Sequence, residues 1–439
     1  MSQSNSQQPF PISLKIIISI GLLIGAALYI YGFKTVLNGP HQYRQADSAF
    51  VGYFFCTENT DFFHPHIAPR GLTEGTGINE FPIYGAVLGG ICRIKGSWDE
   101  ATPRLVSLFF AIASAVLFWG ILKRKYNLDR VTWIEYLVLF IFLPVNWTFF
   151  TIPMPDSTGL FLYALAGYIW SAIPLKDHSR AKQLALKILG SIIFMLGFLV
   201  RPYYILILFF YFPGLLTTAI TLVLCIGLFW FWYRYWSTAV SVNPTYFGIQ
   251  FQTSKEVLAS LPNALAHLPT RIFEHTALIG FWAFAICWKK YRWIVLFYIA
   301  NIGMMYVLKS THIADHGYYL LNAGLFATFA LILGYQELNT KQRSFFLSFF
   351  LLYTFAFTQH NFHRNKNYDM TIEAASKVDL PANAIVATYL TDPQWLYYLK
   401  RIGYISPPEF FNGTCPPGAT HYLIHDPENK TQLKMDVCK

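Results

Sequence analysis

Charge is what this chain has least of. Only 13% of its 439 residues are Asp, Glu, Lys or Arg, whereas a soluble domain carries about a quarter. Hydrophobic residues make up 54% and aromatic residues 18%, and they come in repeated long runs. This excludes an ordinary soluble globule and indicates a multi-span membrane protein. Acidic residues are the scarcer sign, 23 against 33 basic, which leaves a formal charge of +10. That excess does not describe a nucleic-acid partner. The basic residues are not gathered in one domain, and many sit in short breaks between apolar runs, as membrane topology demands.

Other absences narrow the chemistry. None of the six cysteines forms a CxxC pair, which excludes a zinc ribbon. No phosphate-cradling glycine loop, nucleophile elbow or HExxH is present, so a nucleotide-using enzyme has no support. There is no internal repeat and no low-complexity segment. The run from Ile16 to Phe33 is long for a signal-peptide core and lacks a clear cleavage site before Lys34, so it reads as an uncleaved first span.

A hydrocarbon core about 30 Å thick needs about 20 apolar helical residues. Candidate spans are 13–33, 103–122, 132–150, 157–174 and 184–200, two spans from 203–236 divided at Pro213-Gly214, then 273–288, 292–308, 317–335 and 344–359. That is about eleven. With the N-terminus inside, the basic breaks "KRKYNLDR", "KDHSRAKQ", "KKYR" and "KQR" all fall inside, as the positive-inside rule requires. The opposite face then receives 34–102, 152–156, Arg201-Pro202, 237–272, 309–317 and the tail from 360. Nearly every polar cluster lies there. Within 34–102, the apolar stretch 81–96 is too short to span and reads as an interfacial helix with Arg93 and Lys95 at the headgroups. In the tail, "AIVATYL" reads as a strand, "DPQWLYYLKRI" as a helix and "HYLIHD" as a strand, together a small α/β domain. The expected organisation is therefore a transmembrane domain over 1–360 and a small extracytoplasmic domain over 361–439. Cys225 and Cys287, inside apolar runs, read as inert core residues. Cys56, Cys92, Cys415 and Cys438 lie at polar boundaries, and the last two can be bridged in an oxidising compartment.

Several polar groups carry candidate chemistry. "HQYRQAD" (41–47) follows the first apolar run. Asp47 there can act as a general base toward an acceptor hydroxyl at the membrane surface, or it is a solvated loop carboxylate; His41 and Arg44 crowd it. Glu80 before "FPIY" is either a second acid, as base or orienting partner, or a helix-dipole cap. His64 and His66 in "HPH" can hold a divalent metal with Asp47 or Glu80 only if a third ligand joins them, and polar loop histidines are the simpler reading. Asp156 in "MPDS" fits a helix N-cap, and is also a candidate for shaping the substrate site. Arg201, at the end of an apolar run, fits either a lipid phosphate or snorkelling. In "KSTHIADHGYY" (309–319), Lys309, His312 and His316 can bind a phosphate, and Tyr318 either joins them or belongs to an aromatic belt.

The set "HQYRQADSAF", "NEFPIYGAVLGG", "ATPRLVSLFFA", "MPDSTGLFLYALA" and "RPYY" resembles, in this order over roughly 34–330, the integral-membrane glycosyltransferases of the GT-C type. The similarity is to bacterial relatives of protein O-mannosyltransferases and of the aminoarabinose transferase of lipid A. It implies a GT-C fold in the bacterial inner membrane, with the active site on the periplasmic face. It also implies transfer of a sugar, with inversion, from a polyprenyl-phosphate donor to a hydroxyl of a lipid, glycan or protein, with membrane lipids as partners and no nucleic acid. No cofactor is required; a divalent metal is compatible. The family's acidic base maps onto Asp47. Many members carry two adjacent acids there, whereas here Ser48 follows, so the second acid either comes from elsewhere, with Glu80 the candidate, or is absent. Many also carry Lys-Pro-Pro where this chain has Glu80-Phe81-Pro82, so Arg44, Arg201 or Lys309 must meet the phosphate. The competing reading, a transporter or flippase of lipid-linked sugars, predicts ionisable residues at mid-membrane and paired broken helices.

Overall fold

The computed structural model describes residues 12–32, 37, 41–58, 60–71, 76–77, 80–173, 179–236, 239, 253–313, 317–359, 366–390, 393–405, 414–426, 428–429 and 431–438; the side chains of 309–313 also lie outside this description. The chain forms two compact units. One comprises 1–31, 118–147 and 253–360, the other 32–117, 148–252 and 361–439.

In the first unit, helix α1 (Ile12–Gly32) buries Leu14 and Ile18 and leaves Ile16 and Leu23 exposed, which suits a helix with lipid around it. The helix Leu321–Tyr335 has every residue buried, so it forms the centre of this unit. The expected span 132–150 is a broken pair, Trp133–Ile141 and Pro144–Phe150, bent by 75°. Pro144 has no amide to continue the first helix, and a capping box of Thr132 and Glu135 starts it. The expected spans 273–288 and 292–308 fall largely in one helical segment, Gly280–Ile313, but that segment is not straight. The rings of Phe284 and Tyr298 lie 5.2 Å apart, although a straight helix would separate residues fourteen positions apart by about 21 Å. The chain therefore turns back near Tyr291, within "KKYR". The expected reversal exists, but its first arm starts only at Gly280, after a break where Ala277 and Leu278 adopt positive φ.

Six helical segments among the described residues are long and apolar enough to cross a membrane, or seven if the bent pair counts as one span; one of the six is Gly280–Leu308, the segment that turns back. The expected number was about eleven. The difference lies in short or divided segments such as the 16-residue helix Asp156–Ser171 and the reversal just described.

In the second unit, the segment 41–57, expected as a polar loop, is a helix: α2 (Gln42–Thr57). Helix α3 (Ile83–Lys95) is the expected interfacial helix, with Arg93 and Lys95 in its exposed last turn. Helix α4 (Ala101–Tyr126) begins in this unit. The helices Asp156–Ser171 and Arg180–Val200 pack together. The chain then breaks at Arg201 and returns as Pro202–Tyr211 beside the first of them, where the Tyr211 hydroxyl donates to the Tyr163 carbonyl at 2.9 Å. It breaks again at Phe212–Gly214, as expected from Pro213-Gly214, and continues as Leu215–Phe229 with a π-helical end, Trp230–Trp236.

The tail forms a four-stranded sheet of β1 (Val386–Thr388), β2 (Gly403–Ile405), β3 (His421–His425) and β4 (Leu433–Val437), in the order β2-β1-β3-β4. Strand β1 pairs in parallel with β2 and β3, and β3 pairs antiparallel with β4. The helix Gln394–Leu399 links β1 to β2. A disulfide joins Cys415 to Cys438.

Candidate active site

The site is built on the pairing of α2 and α3. Three glycines let the two backbones approach closely. A Cβ on Gly52 would lie 2.6 Å from Leu88 Cβ, one on Gly85 would lie 2.5 Å from Val51, and one on Gly89 would strike Phe55. A disulfide between Cys56 and Cys92 closes the pair. On α2, Arg44, Asp47, Ser48 and Val51 stand at i, i+3, i+4 and i+7, one face of a helix. Asp47, Ser48 and Val51 line a small cleft that opens to solvent. Glu80, Phe81 and Pro82, at the entry to α3, form another wall, and Pro65, Ile67 and Ala68 a third. Two carboxylates thus share one cavity with a mostly apolar lining, which Ser48 and Tyr84 interrupt.

Behind Glu80 lies a buried ion network. Glu80 pairs with Arg44 and lies 3.5 Å from Nη1 of Arg201. Arg201 donates from Nε and Nη2 to the two carboxylate oxygens of Asp156, at 2.8 and 2.7 Å. Arg201 and Asp156 are 3% and 1% exposed, so neither guanidinium nor carboxylate survives there without its partner. The four charges sum to zero. Their placement follows from chain breaks: Arg201 ends the helix Arg180–Val200, Asp156 begins the helix Asp156–Ser171, and Glu80 precedes α3. An aromatic cluster lies beside this network. The Phe81 ring sits 4.7 Å from Trp232 and 5.2 Å from Phe62, and the Tyr233 hydroxyl donates to the Leu199 carbonyl.

Three expectations are revised by this geometry. Asp47 is not a loop carboxylate but lies in the second turn of a helix, because the spacing of buried residues over 44–55 is helical. Asp156 does not cap its helix by a side-chain bond; Pro155 holds the cap position, and the Asp156 carboxylate is taken by Arg201. Arg201 does not snorkel to a headgroup, since its partners are buried acids.

The other candidates are distributed as follows. His41 stands at the start of α2 with positive φ, its ring stacked 5.9 Å from Phe149. His64 pairs with Asp61 and packs against Trp236. His66 Nδ1 meets Glu58 Oε2 at 2.7 Å, and Arg70 binds the same carboxylate, so both histidines are spoken for by acids. Among the described residues, no group of three or more His, Cys, Asp or Glu is arranged to hold a metal ion. Tyr318 belongs to the other unit, buried and 4.5 Å from the Tyr319 ring. The side chains of Lys309 and His312, and all of His316, lie outside the described residues.

Sequence reasoning overlooked two supports. Tyr84 donates to the Pro103 carbonyl at 2.8 Å and meets Ser107 at 3.0 Å, which ties α3 to the start of α4. Glu58 and Arg70 fix the wall that carries Ile67 and Ala68. The four-residue spacing of Gly85 and Gly89 was the available signal for close helix packing.

No protein-family model and no curated protein sequence matches this chain. Solved structures do. ArnT from Cupriavidus metallidurans in the apo state aligns over 90% of this chain and 86% of its own, at 11% identity and TM-score 0.60. The same protein bound to undecaprenyl phosphate aligns over 89% and 85%, at 10% identity and TM-score 0.55. An Archaeoglobus fulgidus oligosaccharyltransferase, in complex with Zn and sulfate, aligns over 89% of this chain and 62% of its own, at 14% identity and TM-score 0.51. The chain therefore has the GT-C fold of membrane glycosyltransferases.

Proposed function

We propose that this protein is an inverting membrane glycosyltransferase that moves a sugar from a polyprenyl-phosphate donor to an acceptor hydroxyl at the extracytoplasmic face. The observation that carries the reading is the sharing of one cavity by Asp47 and Glu80, with Glu80 anchored by two arginines. Asp47 is the general base. As the acceptor oxygen bonds to the anomeric carbon, the bond from that carbon to the phosphate oxygen breaks, the acceptor proton passes to Asp47 and the lipid phosphate leaves with the electron pair. Glu80 is the orienting acid, which holds Arg44 and Arg201 beside the cavity. Arg44, one turn before Asp47 on α2, stabilises charge developing on the phosphate.

Two further points support the reading. The fold is shared with a protein solved with undecaprenyl phosphate. Both disulfides, Cys56–Cys92 and Cys415–Cys438, fall in segments assigned to the outer face, where an oxidising compartment favours them.

The test is Asp47→Asn in purified, reconstituted protein, assayed by transfer of labelled sugar from polyprenyl-phosphate sugar donors to an envelope lipid and glycan extract. Loss of a general base lowers the rate by about 10²–10⁴. Transfer at the unaltered rate would remove Asp47 from the chemistry. Mass analysis of envelope lipids and glycans with and without the protein would identify the sugar and its acceptor.

A further inference from the structure

The turn within the helical segment Gly280–Ile313 carries the sequence "WKKYRW" (288–293). Because the chain reverses here, these residues sit at the tip of a helical hairpin. Lys289, Lys290 and Arg292 are exposed, and the flanking Trp288 and Trp293 are 48% and 64% exposed. The arm beyond the tip presents Leu296 and Ile299 outward. A tip of this composition suits the boundary between acyl chains and headgroups, where indoles lie at headgroup level and cations meet phosphates.

Contacts bring more cations to the same end of this unit. The Tyr291 ring lies 5.4 Å from Tyr126, the last residue of α4, over which Lys125 sits at 5.8 Å. Gln336 donates to the Tyr291 hydroxyl at 3.1 Å, and Arg343 donates to the carbonyls of Gln336 and Arg130. Lys123, Arg124 and Lys341 are exposed nearby in sequence. The carboxylates at this end are Asp129; Glu337, which pairs with Lys290 at 2.6 Å; and buried Glu135, which accepts from Tyr335 at 2.7 Å. They leave the surface strongly positive. Nothing in the sugar-transfer chemistry calls for this surface, and the cations border exposed apolar residues rather than an aqueous pocket.

We propose that the 288–293 tip and its basic surround form a docking surface for the headgroups of anionic phospholipids. The phosphates meet Lys289, Lys290 and Arg292, and the two indoles seat among the glycerol and upper acyl groups. Each cation near a lipid surface is worth about 1 kcal/mol, roughly fivefold in retention.

The experiment uses the full-length protein equilibrated with equal amounts of dioleoylphosphatidylglycerol and dioleoylphosphatidylcholine, with bound lipids counted by native mass spectrometry. Wild type retains phosphatidylglycerol preferentially. Lys289→Gln alone lowers that preference about fivefold, and the triple change Lys289→Gln, Lys290→Gln, Arg292→Gln lowers it more than tenfold. Lys289→Arg with Lys290→Arg keeps it. Equal retention of the two lipids by wild type, full preference in Lys289→Gln, or loss in the arginine variant each overturns the proposal. So does release of the lipid by an excess of inorganic phosphate, which would mark a simple anion site. Lys289→Gln keeps the test valid if the triple variant fails to fold.

Discussion

The buried pair Asp156–Arg201 allows a quantitative test of how the site is held together. Asp156→Asn keeps the shape of the side chain and removes its charge. Two charge-assisted bonds, at 2.7 and 2.8 Å, join the pair, each worth about 1.5–3 kcal/mol. The amide oxygen retains one of them in weakened form, and the other is lost. Arg201 then keeps as its counter-charge only Glu80 at 3.5 Å, which Arg44 already engages. Removal of one partner from a buried pair costs about 3–5 kcal/mol, and the residual contact to Glu80 puts this case near 3 kcal/mol. Arg201→Met, which strands Asp156, costs a similar amount. The double variant leaves no unpaired charge, so it loses about as much as either single one rather than the sum. Equilibrium unfolding in mixed micelles, with wild type, both single variants and the double variant, gives the coupling energy directly. A coupling of about 2–3 kcal/mol is expected. Effects that add to within about 0.5 kcal/mol would show that the two residues are not a unit, and the account of Glu80 as an anchored acid would fall with them.

The remaining predictions concern the frame around the site. Opening the Cys56–Cys92 disulfide with a serine at both positions frees a loop of sequence separation 36, which costs roughly 3–4 kcal/mol on the chain-entropy scale; an unchanged midpoint in the same unfolding assay would contradict the link. Gly89→Val forces α2 and α3 apart at Phe55 and costs about 1–3 kcal/mol, whereas Gly90→Val, with open space around it, leaves the unfolding midpoint unchanged. In the tail, burial pushes Lys400 down to about 8, opposed by Glu100 at 2.6 Å. The folded state therefore disfavours the protonated lysine, so the unfolded chain binds more protons between about pH 8 and 10, and this group makes stability rise with pH across that window. Lys400→Met loses that rise relative to wild type, and parallel stability curves for the two proteins from pH 7 to 10 would refute the assignment.

What the sequence revealed depended on how local each signal was. The tail strand "HYLIHD" and the helix in "DPQWLYYLKRI" were legible because alternation and helical period act within a few residues. Strands β2 and β4 were not recognised: β2 has three residues and starts at Gly403, and β4 carries Lys434 and Asp436 among its apolar positions. The reversal at "KKYR" was readable from charge, which breaks the apolar run there. Helix α2 was misjudged because its first turns are polar, yet the spacing of Arg44, Asp47, Ser48 and Val51 already had the helical period. The ion network was out of reach. Its pairs are separated by 36, 121 and 45 positions, and a lone Asp before an apolar run looks like any helix start.

The two-sided burial of α2 explains why a region outside the spans belongs to the site. One face carries Asp47, Ser48 and Val51 to the cavity. The other carries Ala46 and Ala49 into a core that also contains Val386, Leu396, Tyr397 and Leu423 of the tail, and Phe50 reaches both. The Tyr398 hydroxyl donates to Gln42 Oε1 at 3.2 Å, at the very start of the helix. The cavity wall is held from the same direction: the Gly403 amide donates to the Ala68 carbonyl at 3.1 Å, and the Gly71 amide donates to the Gly403 carbonyl at 2.9 Å. Residues 68–71 thus bond to the outer edge of β2, beside the Ile67 and Ala68 that line the cavity. The general base proposed at Asp47 works only if held within a fraction of an ångström of its target proton, and the first turns of an isolated helix fray. The tail sheet supplies packing that α2 cannot obtain from lipid, so the seating of the helix that carries Asp47 depends on contacts made more than three hundred residues later in the chain.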